Sequence, residues 1–227
     1  MAKISLSEHM NSSAVEGDEA ANAGPFITIS RQAGCYGFSL GLLLMEILNE
    51  NLSPSERTWK IYHREILSRL ATETNVAEEF LEKQRRSKPG FLEGLFRSLS
   101  KDQTPSGQAI RNRITTIIRG LAIEGHAILI GQGASGATQD LANGLSVRVE
   151  APENWRVKQV AFREGLGETQ ARLRIRAMEE EREYLRRMYE TSGAQQPCFN
   201  LTYDCSVFTL AQIAQQIVYA MKLLKII

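Results

Sequence analysis

The chain has 227 residues, 43% of them apolar, and 27 basic against 26 acidic side chains leave a formal net charge of +1. That length and apolar fraction suit one domain with a sizeable core and exclude a fibrous or wholly disordered protein, while the balanced charge provides no global field for nucleic acid. No apolar run approaches the roughly 20 residues needed to span a bilayer, and no signal segment opens the sequence, so the expectation is a cytoplasmic protein with neither a membrane nor a nucleic-acid partner.

Residues 1–24, rich in Ser, Asn, Glu, Ala and Gly without periodicity, read as a flexible leader. The fold is expected to start at Pro25 or Phe26 and to run as one domain over 25–227. A short apolar strand from Phe26 empties into a turn bearing Gly34 and Gly37, and Leu42, Leu43, Met45, Ile47 and Leu48 follow at helical spacing. Pro54 marks a turn, residues 59–62 form a second short strand, and Ile66, Leu67 and Leu70 lie on a helix. Asn75 is placed to cap a helix over 76–86, Pro89 and Gly90 break it, and Phe91, Leu92, Leu95, Phe96 and Leu99 make a short amphipathic helix. Residues 75–109 therefore read as a helical insert or flap. Ile110, Ile114, Ile117, Ile118, Leu121 and Ile123 define a long helix ending near Gly125.

Residues 127–130 are uniformly apolar, as in a parallel strand buried on both faces. Residues 145–150 supply a fourth strand, and Pro152 opens a helix where its missing N–H costs nothing. A long charged helix follows from Glu168 to about Glu190, within a lid-like helical region over 156–190. Residues 199–203 make a fifth strand, and Leu210, Ile213, Ile217, Met221 and Leu224 build the last amphipathic helix. Strand and helix in alternation give an α/β chain, a three-layer α/β/α arrangement on a mainly parallel five-stranded sheet.

The strand, glycine turn and helix at 26–48 are where phosphate-binding proteins place an anion, because loop and first-turn N–H groups point into one concavity. The P-loop spacing of Gly, four residues, Gly, Lys and Ser or Thr is not met: Arg31 stands at its start, Tyr36, Gly37 and Phe38 at its end, and Ser39 comes one place late, with no lysine. Gly34 and Gly37 still allow close approach to an anion, and Arg31 replaces part of the missing charge. The plain alternative is an ordinary tight turn. Arg172, Arg174, Arg176 and Arg182, interleaved with Glu on a stripe that continues to Arg186, read either as lid arginines or as part of a solvated, ion-paired helix face. Gly131, Gln132 and Gly133 follow a buried strand, where parallel sheets form ligand sites; otherwise they are a flexible connection. Cys35, Cys198 and Cys205 lack metal or redox spacing and read as reduced thiols; Cys35 in the loop is either a reactive thiol or, on the simpler reading, a small filler. His63 and His126 have no partner legible from spacing, and His126 reads as structural.

Six ordered segments together resemble the cytidylate-kinase-like proteins, a branch of the P-loop nucleoside monophosphate kinases. They are residues 29–37 around Ser30, Arg31 and Gly34; 62–66 with Tyr62, His63, Arg64 and Glu65; and 128–134 with Gly131, Gln132 and Gly133. The set continues with 147–152 through Glu150, Ala151 and Pro152, 179–184 with Glu179 and Arg182, and 199–201 with Asn200. The resemblance covers nearly all of the chain after residue 25. It implies a P-loop NTPase or kinase-like fold with an arginine-bearing helical lid and helical segments on the acceptor side. The implied activity is ATP-dependent, Mg²⁺-requiring phosphoryl transfer to a nucleoside monophosphate or a similar small phosphorylated acceptor.

Carried onto this chain, the resemblance gives the catalytic charge to Arg31, Arg176 and Arg182. It gives donor-phosphate binding to Gly34, Cys35, Tyr36, Gly37, Phe38 and Ser39, with Ser39 also reaching the metal, and the acceptor to Tyr62, Arg64 and Gln132. The chain departs from the family pattern at Gln32 (an acid there), Phe38 (a base), Gln132 (Arg), and His63, Glu179 and Asn200 (Asp). Phosphoryl transfer is catalysed by positioning and charge cancellation, so these exchanges bear on turnover more than on binding. A second reading is therefore a catalytically degenerate nucleotide- or anion-binding sensor of the same fold. A third is a partner-binding α/β protein docking through residues 91–99. A homodimer is left open.

Overall fold

In the computed structural model the described residues are 23–50, 52–53, 55–63, 117–189 and 199–227. Five short segments form strands: β1 (Phe26–Arg31), β2 (Lys60–Tyr62), β3 (Ala127–Ile130), β4 (Gly144–Glu150) and β5 (Leu201–Asp204). Among the described helices are α1 (Gly37–Asn49), α2 (residues 117–124), α3 (Ala134–Ala137), α4 (Glu153–Glu164), α5 (Glu168–Tyr189) and α6 (Leu210–Leu223). The strands make one sheet in the order β2-β3-β1-β4-β5, and every neighbouring pair is parallel. The expected parallel five-stranded sheet is thus found, with β1 at its centre.

Uniformly apolar strands demand cover on both faces, and both faces of the central strands receive it. On one face Ile27, Ile29, Ile128, Ile130, Val147 and Val149 pack against Leu40 and Leu44 of α1 and Ile213, Ile217 and Met221 of α6. On the other, Phe26, Ala127 and Leu129 meet Ile117, Ile118 and Leu121 of α2 and Ala134 and Ala137 of α3. Each buried Leu or Ile contributes on the order of 1.5–3 kcal/mol. A third, smaller cluster joins Ala33, at the end of β1, to Val157 and Val160 of α4 and Ala171 and Ile175 of α5. That cluster ties the helical arm α4–α5 to the carboxyl edge of the sheet. Buried Thr28, the polar exception inside β1, is satisfied by the Ser135 and Ser146 hydroxyls at 2.9 and 3.2 Å.

Local signals account for several helix ends. Thr209 and Gln212 form a reciprocal capping box at the start of α6, and Gly165 closes α4 in the left-handed conformation. Pro152 lies one position earlier than the spacing suggests, as the extended N-cap of α4 rather than its first residue. β4 begins one residue earlier than expected, and β5 begins at Leu201, because the Asn200 side chain takes the Ser146 N–H at 2.7 Å ahead of it. Ala23 and Gly24, assigned by composition to the leader, are already packed: Ala23 is buried, and Gly24 donates to the Ile123 carbonyl. The single-turn helix α3 was not anticipated, since a Gly-Ala-Ser-Gly stretch carries no apolar periodicity. The helices expected over 66–116, together with Arg64 and Cys198, lie outside the described residues. No helix among the described residues is long and apolar enough to cross a membrane.

Candidate functional site

In a parallel sheet all strands deliver their carboxyl ends to the same edge, and ligands bind there. At this edge the loop of residues 32–36 leaves β1 and enters α1. Gln32 anchors it: its N–H donates to the Val149 carbonyl, and its side-chain oxygen accepts from Ala151 N–H at 3.1 Å. The Cys35 N–H turns back to the Gln32 carbonyl, and Gly34 turns the chain with φ of +90°. A Cβ on Gly34 would come within 3.0 Å of Arg156 Cβ, so glycine is required there by both space and conformation. Tyr36 is pinned to α4: its hydroxyl donates to Gln159 at 2.8 Å, its ring meets Trp155 edge-on, and the Arg163 guanidinium lies over it.

The first intrahelical bond of α1 runs from Leu40 N–H to the Tyr36 carbonyl, and no side chain caps the helix. The N–H groups of Gly37, Phe38 and Ser39 precede that bond and carry the positive end of the helix dipole. Ser39 is exposed on this turn. Phe38, 48% exposed, leans on the His63 ring at the end of β2, with centroids 5.9 Å apart.

Arg31 crosses the site. Its methylenes lie on Gly37, whose Cβ would fall 3.1 Å from Arg31 Cγ, and its guanidinium covers Gly131, where a Cβ would fall 1.6 Å from Nη1. Gly131, Gln132 and Gly133 are three successive residues of positive φ, at +67°, +57° and +73°. A non-glycine residue in that region is strained, as functional loops often are. Gln132 is buried within this turn. The connection is therefore a shaped turn that makes room for the Arg31 head.

From the other side the helical arm grips the loop. The Arg156 side chain is buried, donating from Nε to the Ala151 carbonyl at 2.9 Å and from Nη1 to the Ala33 carbonyl at 3.2 Å. The same Nη1 lies 3.5 Å from the Glu179 carboxylate. Glu179 Oε1 accepts the Ala33 N–H at 2.5 Å, and one turn on, Arg182 donates to the Arg31 carbonyl at 3.3 Å. The inward stripe of α5 thus runs Ala171, Ile175, Glu179 and Arg182. Arg176, one residue off that stripe, is exposed, while Arg172 pairs with Glu153 and Arg174 with Glu164.

Of the residues singled out in the sequence, the structure brings Arg31, Gly34, Tyr36, Gly37, Phe38, Ser39, Gln132 and Arg182 to one edge. Tyr62, at the end of β2, packs in the core with Phe26 and Leu129. Arg156 carries little signal in the sequence, where an arginine between apolar helix positions reads as surface; the Val157 and Val160 stripe beside it is what points inward. No group of three or more His, Cys, Asp or Glu that could hold a metal occurs among the described residues.

The side chain of Cys35 points away from this edge into the core, beside Cys205. The hydrogen bond between the two thiols, then burial, drives Cys35 well above the ordinary thiol range, while Cys205 is lowered by the same bond. Alkylation needs the thiolate. Iodoacetamide at pH 8.5 is therefore expected to leave Cys35 unmodified in the native protein and to label it in urea, as read by peptide mass spectrometry. Equal labelling in both states would contradict the buried pairing.

A family model described as the cytidylate kinase-like family matches residues 26–207. A crystal structure of an uncharacterized protein from Eubacterium ventriosum superimposes with a TM-score of 0.60 at 20% identity, covering 87% of this chain and 98% of that one. At that identity the likeness concerns the fold. No curated protein matches. With the match running from the first residue of β1 past the end of β5, the chain belongs to the cytidylate kinase-like family.

Proposed function

We propose that this chain is a phosphotransferase that moves the terminal phosphoryl group of ATP to a nucleoside monophosphate or a similar small phosphorylated acceptor. The observation that carries the reading is the uncapped start of α1 with the Arg31 side chain laid across it, at the carboxyl edge of a parallel sheet. The N–H groups of Gly34 and of residues 36–39 would hold the donor phosphates, and Arg31 and Arg182 would cancel charge on the transferring group. Arg176 would join them where α5 closes over a nucleotide. Gln132, with Arg64, would face the acceptor, and Tyr62 would support that side from the core.

The donor set fits a Mg²⁺ ion carried on nucleotide phosphates, since the Ser39 hydroxyl stands exposed on the first turn of α1 and Mg²⁺ takes most of its ligands from phosphates and water. Bound there, the ion would add charge neutralisation. In the transfer the bond between the γ-phosphorus and its bridging oxygen breaks, ADP leaves, and an acceptor oxygen bonds to that phosphorus. The purified protein with ATP, Mg²⁺ and a panel of nucleoside monophosphates is expected to release ADP and form a diphosphate, read by ³¹P NMR. Failure across nucleotides and other small phosphorylated acceptors would sink the enzymatic reading.

One observation favours a second reading, a nucleotide-binding sensor without turnover: at Phe38 an exposed apolar ring stands on the turn that would face the phosphates. Its signature would be a rise in melting temperature with ATP, as mass action requires of a ligand of the native state, without product.

A further inference from the structure

The loop that would receive phosphate already holds an anion of the protein's own. Glu179 reaches from α5 and takes the Ala33 N–H at 2.5 Å, a charge-assisted bond, with the buried Arg156 guanidinium 3.5 Å from the same oxygen. A carboxylate oxygen and a phosphate oxygen make the same demand, an N–H donor plus a cation, so both cannot occupy this amide together. The second tether of α5, Arg182 on the Arg31 carbonyl, engages the chain two residues earlier. Rotation of the Glu179 side chain alone breaks the first contact and leaves the Arg182 tether and the Ala171 and Ile175 packing in place. Glu179 is only half-buried, with 31% of its side chain exposed, so it can leave without crossing a packed core.

We propose that Glu179 is a latch: its carboxylate stands in for a ligand phosphate at the Ala33 N–H, and an incoming phosphate must displace it. The inference rests on the phosphate-binding reading above and adds to it that apparent affinity is set by competition with the chain itself. Removing the competitor raises affinity, as removal of any conformational cost does. The freed Ala33 N–H then serves the ligand, with the Arg156 guanidinium still held beside it by the Ala33 and Ala151 carbonyls. Gln at 179 keeps an acceptor oxygen but loses the charge, so it weakens the latch without removing it.

The test compares wild type, Glu179→Ala and Glu179→Gln by calorimetric titration with inorganic pyrophosphate and with ATP, and by hydrogen exchange of peptides covering residues 32–38. The expected result is pyrophosphate binding at least about tenfold tighter in Glu179→Ala and about threefold tighter in Glu179→Gln. Loop exchange should be faster in both variants and slowed again by pyrophosphate. If wild type binds and both variants bind equally or more weakly, the latch is overturned and the phosphate-binding reading stands. If neither probe binds to any of the three proteins, both are overturned. Should Glu179→Ala fold poorly because Arg156 loses its partner, Glu179→Gln and its exchange rates decide the matter.

Discussion

Arg156→Ala is expected to lose about 2–3 kcal/mol of folding stability, the range for stripping one partner from a largely buried ionic contact that also serves backbone carbonyls. The Arg156 side chain is only 10% exposed, and its removal leaves the Ala33 and Ala151 carbonyls without their donor and Glu179 without its cation. For a chain of this length that corresponds to a fall in melting temperature of roughly 4–12 °C. Arg156→Lys should recover little of it, because an ammonium cannot reproduce the fork that serves two carbonyls at once. Thermal unfolding followed by circular dichroism measures both variants. A change within about 0.5 kcal/mol, the usual span of a surface substitution, would mean that the loop does not depend on this side chain.

Arg31→Ala is expected to act on binding instead. Its guanidinium lies over Gly131 at the edge where the start of α1 opens. Loss of that charge should weaken ATP and pyrophosphate by at least about tenfold, the scale of one charge-assisted contact, while its melting temperature falls less than that of Arg156→Ala. Gly131→Ala supplies an independent check. A methyl group there would collide with Arg31 Nη1, and the +67° φ disfavours any side chain, so the substitution should displace the guanidinium and reproduce the binding defect. It should also cost about 1–2 kcal/mol of stability from the left-handed backbone. Unchanged affinity in both variants would remove Arg31 from the phosphate site.

The two sets of expectations separate shape from chemistry within one loop. Arg156 acts on carbonyls and sits inside, so its loss is felt in folding. Arg31 presents its head at the sheet edge, so its loss is felt by a ligand. Glu179 belongs to both, which is why its substitution can lower stability and raise affinity together.

The order of elements was legible because each rests on near neighbours in the chain. Strand β3 is four consecutive apolar residues, α6 repeats Ile213, Ile217 and Met221 on one face, and Gly125 and Gly165 stop helices through their own backbone preference. The family resemblance was legible for the same reason, since its segments are short and ordered. Composition misplaced the start of the fold by two residues, because what holds Ala23 and Gly24 are Asn143 and Ile123, far along the chain.

Local residue pattern is enough to specify an α/β alternation, a glycine turn after the first strand and an arginine-rich late helix. Which arginines reach the loop is a matter of packing in three dimensions, because sequence spacing shows which residues share a helix face and not what that face meets. Arg182 reaches the loop while Arg176 is left outside, and Arg156 becomes a buried support. The carboxylate of Glu179 and the N–H of Ala33 are 146 residues apart in the chain. They meet because a parallel sheet gathers its strand ends at one edge and the α4–α5 arm folds back across it.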